Sequence, residues 1–379
     1  MMIRRPPARG RYGMQTVNVG LIGCGTISPA YLKAAAAFAQ MRFVACADLD
    51  PAAALRRGGE FGIPALSVAD LLARDDVEVV LNLTIPKAHA SVNRAALDAG
   101  KHVYCEKPFA LDLTEGRAVL ARAAHLQLRV GCAPDTFLGG GQQTCRNLID
   151  EGAIGVPVAA TAFMMNHGPE HWHPNPAFYY DVGGGPLYDM APYYITALVN
   201  LLGPVRRVSA STGRALQQRP ITSRPFAGTN AAVHVATHVA ATLDFDSGAI
   251  VTLVMSFDVW HHTNKPIEVH GTTGSLSVPD PNTFGGPVGV TSGRARDWTD
   301  VALTHGYTTN MRSIGLADMC VAIRTERDLR CSGERALHVL EVMEACDRAS
   351  RDGSHITIQS RCTRPAPLPL GLHDGELDD

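Results

Sequence analysis

Near its start the chain reads Val17-Asn18-Val19-Gly20-Leu21-Ile22-Gly23-Cys24-Gly25-Thr26-Ile27-Ser28. A short apolar run bounded by glycines is typical of a parallel strand that is buried on both faces. The alanine-rich stretch from Tyr31 to Phe38 contains strong helix formers and no helix breaker. This order of strand, glycine turn and helix predicts that the fold begins with a βαβ unit.

The glycine turn has the residues that binding of a pyrophosphate requires. Gly23 permits a tight turn, and Gly25 lets the backbone approach a phosphate at the positive end of the helix. Ser28 replaces the third glycine of the usual pattern, which predicts slightly looser packing of helix and strand. Asp48 ends the next apolar run, where it can accept both ribose hydroxyl hydrogens and would repel a 2′-phosphate. These residues predict a bound dinucleotide and favour NAD over NADP.

The composition is that of an ordinary globular protein. Of 379 residues, 46% are hydrophobic and 18% are charged, and the net charge of −2 does not provide the basic surface that nucleic-acid binding requires. No apolar run is long enough to predict a membrane span. The nine cysteines are widely spaced and include no C-x-x-C pair, which favours free thiols and a cytoplasmic location.

The order of elements predicts two domains, as expected for a chain too long for one core. Strands and helices alternate up to residue 134, which predicts an α/β Rossmann domain with a doubly wound parallel sheet over residues 14–134. Longer β-like runs then predict an α+β domain over residues 135–362, with a large, mostly antiparallel sheet. Asp246-Ser247-Gly248 is a hairpin signal within it. Residues 1–13 are expected to be a disordered leader, and residues 363–379 a loose tail.

Four elements occur in order along the chain. They are the glycine turn with Asp48, then Thr84-Ile85-Pro86-Lys87-Ala88-His89, Glu106-Lys107-Pro108, and Gly183-Gly184-Gly185-Pro186-Leu187-Tyr188-Asp189. Together they resemble the Gfo/Idh/MocA family of sugar oxidoreductases over nearly the whole chain after the leader. The resemblance implies an NAD(P)-dependent enzyme that reversibly oxidises a secondary ring hydroxyl of a sugar, sugar derivative or glycoside.

The resemblance also implies roles for single residues. Lys107 is expected beside the nicotinamide and the substrate hydroxyl, with Asp189 on the same side of the substrate. Where the family usually has a histidine four residues after this aspartate, the chain has Tyr193, which helical spacing places on the same face. The expected cofactor-binding residues are Gly23, Gly25, Thr26, Ile27, Asp48, Thr84, Pro86, His89, Glu106 and Lys107.

A polar and aromatic cluster before the glycine run suits a sugar, which alternates apolar carbons and hydroxyls. Together with the residues that follow the last strand of the first domain, it gives the predicted substrate-binding set, namely Asp135, Thr136, Asn166, His167, His171, Trp172 and His173.

The identity of the catalytic base stays open at this point. Tyr193 is one candidate, if a nearby Lys107 ammonium brings its pKa well below the usual value of about 10. Lys107 is the other, if burial and the charge of the cofactor lower its own pKa. Asp189 would orient the substrate in the first of these hypotheses.

Two other functions remain possible on this fold, a sugar–sugar oxidoreductase with tightly bound NADP and a cofactor-sensing regulatory protein. No metal site is predicted, because none of the histidine pairs shows the regular Cys/His spacing of a structural zinc site. The resemblance implies a homodimer or homotetramer formed through the exposed face of the second sheet.

Overall fold

The computed structural model describes residues 15–295 and 297–378, and its N-terminal part is a six-stranded parallel sheet. The strands are β1 (Val17–Ile22), β2 (Met41–Ala47), β3 (Ala65–Leu66), β4 (Val79–Asn82), β5 (His102–Cys105) and β6 (Val130–Cys132). The helices are α1 (Ser28–Ala35), α2 (Pro51–Phe61), α3 (Val68–Leu72), α4 (Pro86–Asp98) and α5 (Leu113–His125). The strand order β3-β2-β1-β4-β5-β6 reverses between β1 and β4, and open α/β sheets bind ligands at such a point.

Local sequence signals fix several of these boundaries. Asp50 caps α2 by accepting a hydrogen bond from the N–H of Ala52, and Pro51 occupies the first turn, where its missing N–H costs nothing. Asp112 caps α5 in the same way through the N–H of Glu115. The predicted parallel Rossmann sheet is confirmed.

The second sheet has nine strands in the order β16-β15-β14-β13-β7-β12-β11-β8-β17. Only β7 and β12 pair in parallel, so the prediction of a large, mostly antiparallel sheet is confirmed. Its strands are β7 (Pro157–Met165), β8 (Val205–Gly213), β11 (His238–Phe245), β12 (Ile250–Ser256), β13 (Ile267–Gly271), β14 (Gly274–Val278), β15 (Val288–Ser292), β16 (Thr299–Val301) and β17 (Ile356–Thr357). A separate two-stranded sheet contains β9 (Gln218–Pro220) and β10 (Asn230–Ala232).

In the described part of the chain, four α-helices follow the first domain, namely α6 (Gly140–Asp150), α7 (Gly185–Leu202), α8 (Ile314–Thr325) and α9 (Gly333–Asp352). Helix α7 is almost entirely buried, and Pro186 lies in its first turn. Two short 3-10 helices lie at Thr136–Leu138 and Ala177–Tyr180. The hairpin predicted at 246–248 joins β11 to β12.

Helix α8 packs against the first sheet although it follows the second sheet in sequence. Its residues Ile314 and Met319 share a hydrophobic core with Val19 of β1. At its start, Gly315 lies so close to β5 that a Cβ there would be 2.2 Å from the hydroxyl oxygen of Tyr104. Helix α8, which falls within the second domain predicted over residues 135–362, therefore packs on the first sheet.

The C-terminal tail is also packed. Leu368 and Leu377 are each 3% exposed and belong to the same core as β1 and α8. The carboxylate of Asp378 accepts a hydrogen bond from Arg330 at 2.6 Å. The prediction of a loose tail is wrong, because buried leucines and an ion pair hold it. The predicted leader at 1–13 lies outside the described residues.

Within residues 15–295 and 297–378, no helix is both long and apolar enough to cross a membrane.

Candidate active site

The glycine turn after β1 has two glycines in different surroundings. Gly23 has a φ of +101°, and a Cβ there would lie 2.5 Å from the carbonyl carbon of Leu83. A side chain at this position would be strained and would also collide with the backbone after β4. Gly25 is exposed, and a Cβ there would meet no atom within 4 Å. The turn therefore needs Gly23 for its own shape, whereas Gly25 borders open space in which a ligand can lie.

Asp48, which directly follows β2, lies against this turn. Its Oδ2 accepts a hydrogen bond from the N–H of Cys24 at 2.7 Å, and its Oδ1 accepts one from the N–H of Asp50 at 2.9 Å. The two backbone donors orient the carboxylate beside the open space at Gly25. Thr26 is exposed at the same rim, and Ile27 is half-buried as the N-cap residue of α1.

Arg57 of α2 also reaches the turn and was not predicted as a site residue. Its Nε donates to Ser28 Oγ at 2.8 Å, and that hydroxyl donates in turn to the carbonyl of Gly25 at 2.8 Å. Arg57 is paired with Glu60 as well. The serine that replaces the third glycine thus links α2 to the turn.

Glu106 connects the loop after β5 to the helix that follows the glycine turn. One carboxylate oxygen accepts a hydrogen bond from the Tyr31 hydroxyl at 2.7 Å, and the other accepts one from the N–H of Lys107 at 2.7 Å. The following Lys107–Pro108 peptide is cis. Glu106 is buried and acts as a support for Lys107 in this structure.

His89, predicted to bind the cofactor, is buried between two loops instead. Its Nδ1 lies 2.6 Å from the carbonyl oxygen of Pro108, and its Nε2 lies 3.0 Å from the carbonyl oxygen of Thr84. Both ring nitrogens are occupied, so the imidazole is not free to contact a ligand, and that prediction is wrong. Thr84 and Pro86, at the start of α4, are partly exposed at the mouth of the sheet.

Lys107, Asp189 and Tyr193 come together as the sequence predicts. Lys107 Nζ donates to the carboxylate of Asp189 at 2.9 Å and to its backbone carbonyl at 2.6 Å. The same ammonium lies 5.1 Å from the centroid of the Tyr193 ring, over its face. Lys107 and Asp189 remain partly exposed, whereas Tyr193 is buried. The cluster joins the first domain to α7 at the carboxyl ends of β4 and β5.

The charges of this cluster hold Lys107 in its protonated form. Burial lowers the pKa of Lys107, but the charges of Asp189, Tyr193 and Glu106 and the hydrogen bond to Asp189 together outweigh burial and raise that pKa above its usual value. Burial raises the pKa of Tyr193, and the positive charges of Lys107 and Arg312 offset part of this increase. Among the two candidate bases, the geometry therefore favours Lys107 as a hydrogen-bond donor.

Arg312 is a site residue that the sequence reading missed. Its guanidinium interacts electrostatically with the Tyr193 side chain and lowers the pKa of that phenol, and its Nη2 donates to Asn282 Oδ1 at 2.9 Å. It has no carboxylate within ion-pair distance among the described residues. Tyr193 thus has one cation over its ring face and is influenced by the positive charge of a second. No sequence motif marks Arg312, because it lies in the irregular segment before α8.

Tyr179 is a second missed residue, in the 3-10 helix at Ala177–Tyr180. Burial and the nearby Asp189 carboxylate raise the pKa of its phenol to about 12, with Lys107 acting in the opposite direction. A Cβ at Gly184 would lie 2.6 Å from the carbonyl oxygen of Tyr179, so the glycine run before α7 lets this tyrosine approach the site.

Asp135 and Thr136 do not lie in the substrate cleft. Asp135 is 1% exposed, and its Oδ2 accepts hydrogen bonds from the N–H groups of Ser313 and Gly315, each at 3.1 Å. It therefore stabilises the start of α8, where negative charge is favourable. Thr136 is equally buried. The prediction that they bind substrate is wrong because the chain after β6 turns inward.

The predicted polar and aromatic cluster separates into two groups. His167 stacks on the exposed ring of Trp260, with centroids 3.3 Å apart. Asn166 accepts a hydrogen bond from the N–H of Gly168 at 2.8 Å and so shapes its own loop. Trp172 and His173 contact Tyr179 beside the catalytic cluster, and His171 is exposed next to them.

Comparison with known proteins identifies the family of the chain. Residues 17–133 match the model described as an oxidoreductase family with NAD-binding Rossmann fold, and residues 142–277 match the GFO/IDH/MocA C-terminal domain. A 3-reductase of dTDP-3,4-didehydro-2,6-dideoxy-alpha-D-glucose from Saccharopolyspora spinosa is 30% identical over 269 residues, which are 69% of this chain and 74% of that protein. The chain belongs to the Gfo/Idh/MocA family.

Other members of the Gfo/Idh/MocA family cover more of the chain. Inositol 2-dehydrogenase of Rhizobium meliloti (strain 1021) is 26% identical over 347 residues, or 90% of this chain and 99% of that protein. The structure of levoglucosan dehydrogenase in complex with NADH superposes with a TM-score of 0.79 at 23% identity, over 92% of this chain and 100% of that one. The superposition shows a shared fold.

The residues present fit the NAD of a Gfo/Idh/MocA oxidoreductase. Open space at Gly25, the N-terminus of α1 and the carboxylate of Asp48 are the features that a pyrophosphate and a ribose diol require. The chain is accordingly an NAD-binding oxidoreductase, and the predictions of fold family, enzyme class and cofactor are confirmed. Among the described residues, no group of three or more His, Cys, Asp and Glu side chains is arranged to hold a metal ion.

Proposed function

We propose that this protein is an NAD-dependent dehydrogenase that reversibly oxidises a secondary ring hydroxyl of a sugar, sugar derivative or glycoside to a keto group. The observation that supports it most is the contact of Lys107 with Asp189 and Tyr193 at the carboxyl edge of the NAD-binding sheet. Relatives named inositol 2-dehydrogenase and levoglucosan dehydrogenase act on ring hydroxyls of related chemistry, which supports the substrate class.

Bound NAD supplies the hydride acceptor for the substrate carbon. The chain supplies the groups that act on the substrate oxygen. The Lys107 ammonium can donate a hydrogen bond to that oxygen and stabilise its developing negative charge. Asp189 fixes the ammonium through its carboxylate and its carbonyl, and its second carboxylate oxygen is available to a substrate hydroxyl. These contacts position Lys107 before a substrate arrives.

Tyr193 is the proposed proton acceptor. Its phenol must lose a proton inside a buried site, which burial alone disfavours. The positive charges of Lys107 and Arg312 offset part of this cost by stabilising the phenolate. In the reductive direction the neutral phenol returns the proton to the substrate oxygen. Arg312 acts through Tyr193 and is a positioning residue.

The test is NADH formation by the purified protein with NAD and a panel of sugars, inositols and glycosides. Lys107→Ala is expected to lower kcat by about 10²–10³-fold, because it removes charge stabilisation at the oxygen. Lys33→Ala is the matched control, since Lys33 is exposed on α1. NAD binding to Lys107→Ala should stay close to that of the unchanged protein.

Other outcomes separate the remaining functions. Turnover that survives in Lys107→Ala would remove this mechanism. A cofactor that stays bound through turnover without net NADH release would indicate a sugar–sugar oxidoreductase, although Asp48 disfavours the NADP expected of one. Cofactor binding without any redox change across the panel would indicate a regulatory protein.

We also propose a cytoplasmic homodimer or homotetramer. The nine cysteines are unpaired, as expected in a reducing compartment. The second sheet leaves Val158 of β7 and Ile250 of β12 exposed, and an apolar sheet face of this kind needs cover. Light scattering tests the assembly, and a monomer at micromolar concentration would exclude it.

A further inference from the structure

Four aromatic rings form a continuous group on the 166–180 segment. Tyr179 lies at its centre, with ring centroids 4.2 Å from Phe178, 5.1 Å from His173 and 6.5 Å from Trp172. His173 contacts Trp172 and Phe178 edge-on, each at 5.4 Å. Trp172 is 60% exposed and Phe178 is 49% exposed. The group, which we call the aromatic platform, therefore presents two large rings to solvent.

The aromatic platform is continuous with the catalytic cluster. Tyr179 interacts electrostatically with Asp189, Lys107 and Tyr193. It precedes the glycine run of α7, where Gly184 leaves no room for a side chain against the Tyr179 carbonyl. A ligand held by Lys107 and Asp189 would thus lie beside Tyr179, and a longer ligand would extend over Phe178 and Trp172.

Hydrogen bonds fix the loop that carries the platform. Arg219 is buried and donates to Glu170 at 2.7 Å and to the carbonyl of His167 at 3.0 Å. His173 accepts a hydrogen bond from the N–H of Asn175 at 3.0 Å, and its carbonyl accepts one from Ser223 at 2.6 Å. Such fixed contacts lower the entropic cost of binding a ligand on the exposed rings.

The exposed area is the size of a sugar ring and not of a protein interface. An aromatic side chain offers roughly 150–250 Å² in total, so two half-exposed rings offer about 200 Å². A stable protein–protein contact buries about 800 Å² on each partner. Aromatic rings of this extent pack well against the apolar carbons of a second ring, while hydroxyls at its edge stay hydrated.

We propose that Trp172 and Phe178 form a subsite for a second ring, so that the preferred substrate is a glycoside with a sugar or aryl group attached and not the free monosaccharide. The inference rests on the proposed function, since it names the class of sugar that the dehydrogenase takes. The ring that is oxidised lies at Lys107, and the attached group lies on the platform. The platform contributes binding and does not touch the reacting atoms.

The test compares two substrates in matched variants. A monosaccharide that the enzyme oxidises and the phenyl glycoside or disaccharide of that sugar are each assayed by kcat and KM. The unchanged protein should prefer the two-ring substrate, and Trp172→Ala or Phe178→Ala should lower kcat/KM for it by about three- to tenfold. The loss should appear in KM, with the monosaccharide little affected, because uniform binding is removed. Trp298→Ala is the control, since Trp298 packs beside β15.

Calorimetric titration of the NADH-loaded protein with the same two ligands measures their affinities, and so tests the subsite without requiring turnover. If the two-ring ligand binds more tightly and Trp172→Ala loses this advantage, the subsite is supported. This holds even if no sugar is oxidised, because the absence of oxidation would count against the proposed function and not against the subsite. Equal affinity of the unchanged protein for both ligands, or an equal loss of affinity for both in Trp172→Ala, would contradict the subsite. A smaller assembly of Trp172→Ala in light scattering would also overturn it and assign these rings to a subunit contact.

Discussion

Gly23 and Gly25 belong to one turn, but the two positions require glycine for different physical reasons. Gly23 needs its positive φ and the absence of a Cβ for the fold itself, whereas the space beside Gly25 is open. Gly25→Ala should leave the free energy of unfolding within about 0.5 kcal/mol of the unchanged protein. It should nevertheless raise the Kd for NAD by about tenfold or more, because the methyl group occupies the path of the pyrophosphate.

Gly23→Ala is the contrasting variant. Strain at a positive φ costs about 1–3 kcal/mol, and the collision with Leu83 adds to it. Urea unfolding and calorimetric NAD titration of both variants check the pair. Normal NAD affinity in Gly25→Ala would contradict the location of the pyrophosphate.

We expect substitutions of Tyr193 and Arg312 to change how the reaction rate depends on pH. Tyr193→Phe should lower kcat by about 10²–10⁴-fold and flatten the alkaline limb of the rate profile. Arg312→Gln removes a cation that lowers the Tyr193 pKa, so the profile should shift to higher pH. Arg312→Lys keeps the positive charge and should shift the rate profile less. Profiles of kcat/KM from about pH 7 to 11 check this, and an unchanged shape in Tyr193→Phe would make Lys107 the base.

At the scale of elements, His89 ties the start of α4 to the loop that carries Lys107. Two carbonyl acceptors can both be satisfied only by the protonated ring. Burial lowers the pKa of His89, but Cys105 and these carbonyls outweigh it and raise the pKa to about 9 from the ordinary 6.5. The raised pKa means that the contribution of His89 to stability is complete below about pH 6.5 and is lost as the pH rises through about 9.

The measurement is urea unfolding at several pH values in this range. His89→Gln cannot titrate, so its stability should depend less on pH than that of the unchanged protein. His125→Gln is the control, since His125 is exposed on α5. If His89→Gln and the unchanged protein lose stability in parallel, His89 is not the titrating group.

Helix α8 shows why some elements escape prediction from sequence. Its residues Ile314 to Ala322 are all buried, so the helix has no polar face and its sequence shows no amphipathic period. Helices α5 and α9 each have an exposed face opposite a buried one, which gives them a helical period that the sequence displays. An element buried on every side is defined by what packs around it.

At the scale of the molecule, the C-terminal tail ties both parts of the chain together. Leu368 is buried in the core of the first domain, whereas Leu370 two residues later is 59% exposed. Leu368→Ala should lower the free energy of unfolding by about 2–5 kcal/mol through lost burial and the cavity left behind. Leu370→Ala should change it by no more than about 0.5 kcal/mol. Denaturant unfolding of the two variants tests this prediction. Equal free energies of unfolding would mean that the tail detaches in solution.

The sequence alone determined the features that depend on neighbouring residues. The turn at Gly23 and Gly25, the acid at Asp48 and the shared helix face of Asp189 and Tyr193 follow from strand length, backbone freedom and helical spacing. Only the tertiary structure decided which distant side chains meet these groups. Arg312 reaches Tyr193, Asp135 turns inward to α8, His89 braces two loops and Leu377 enters the first core. Such contacts join residues far apart in the chain, and no local period or propensity encodes them.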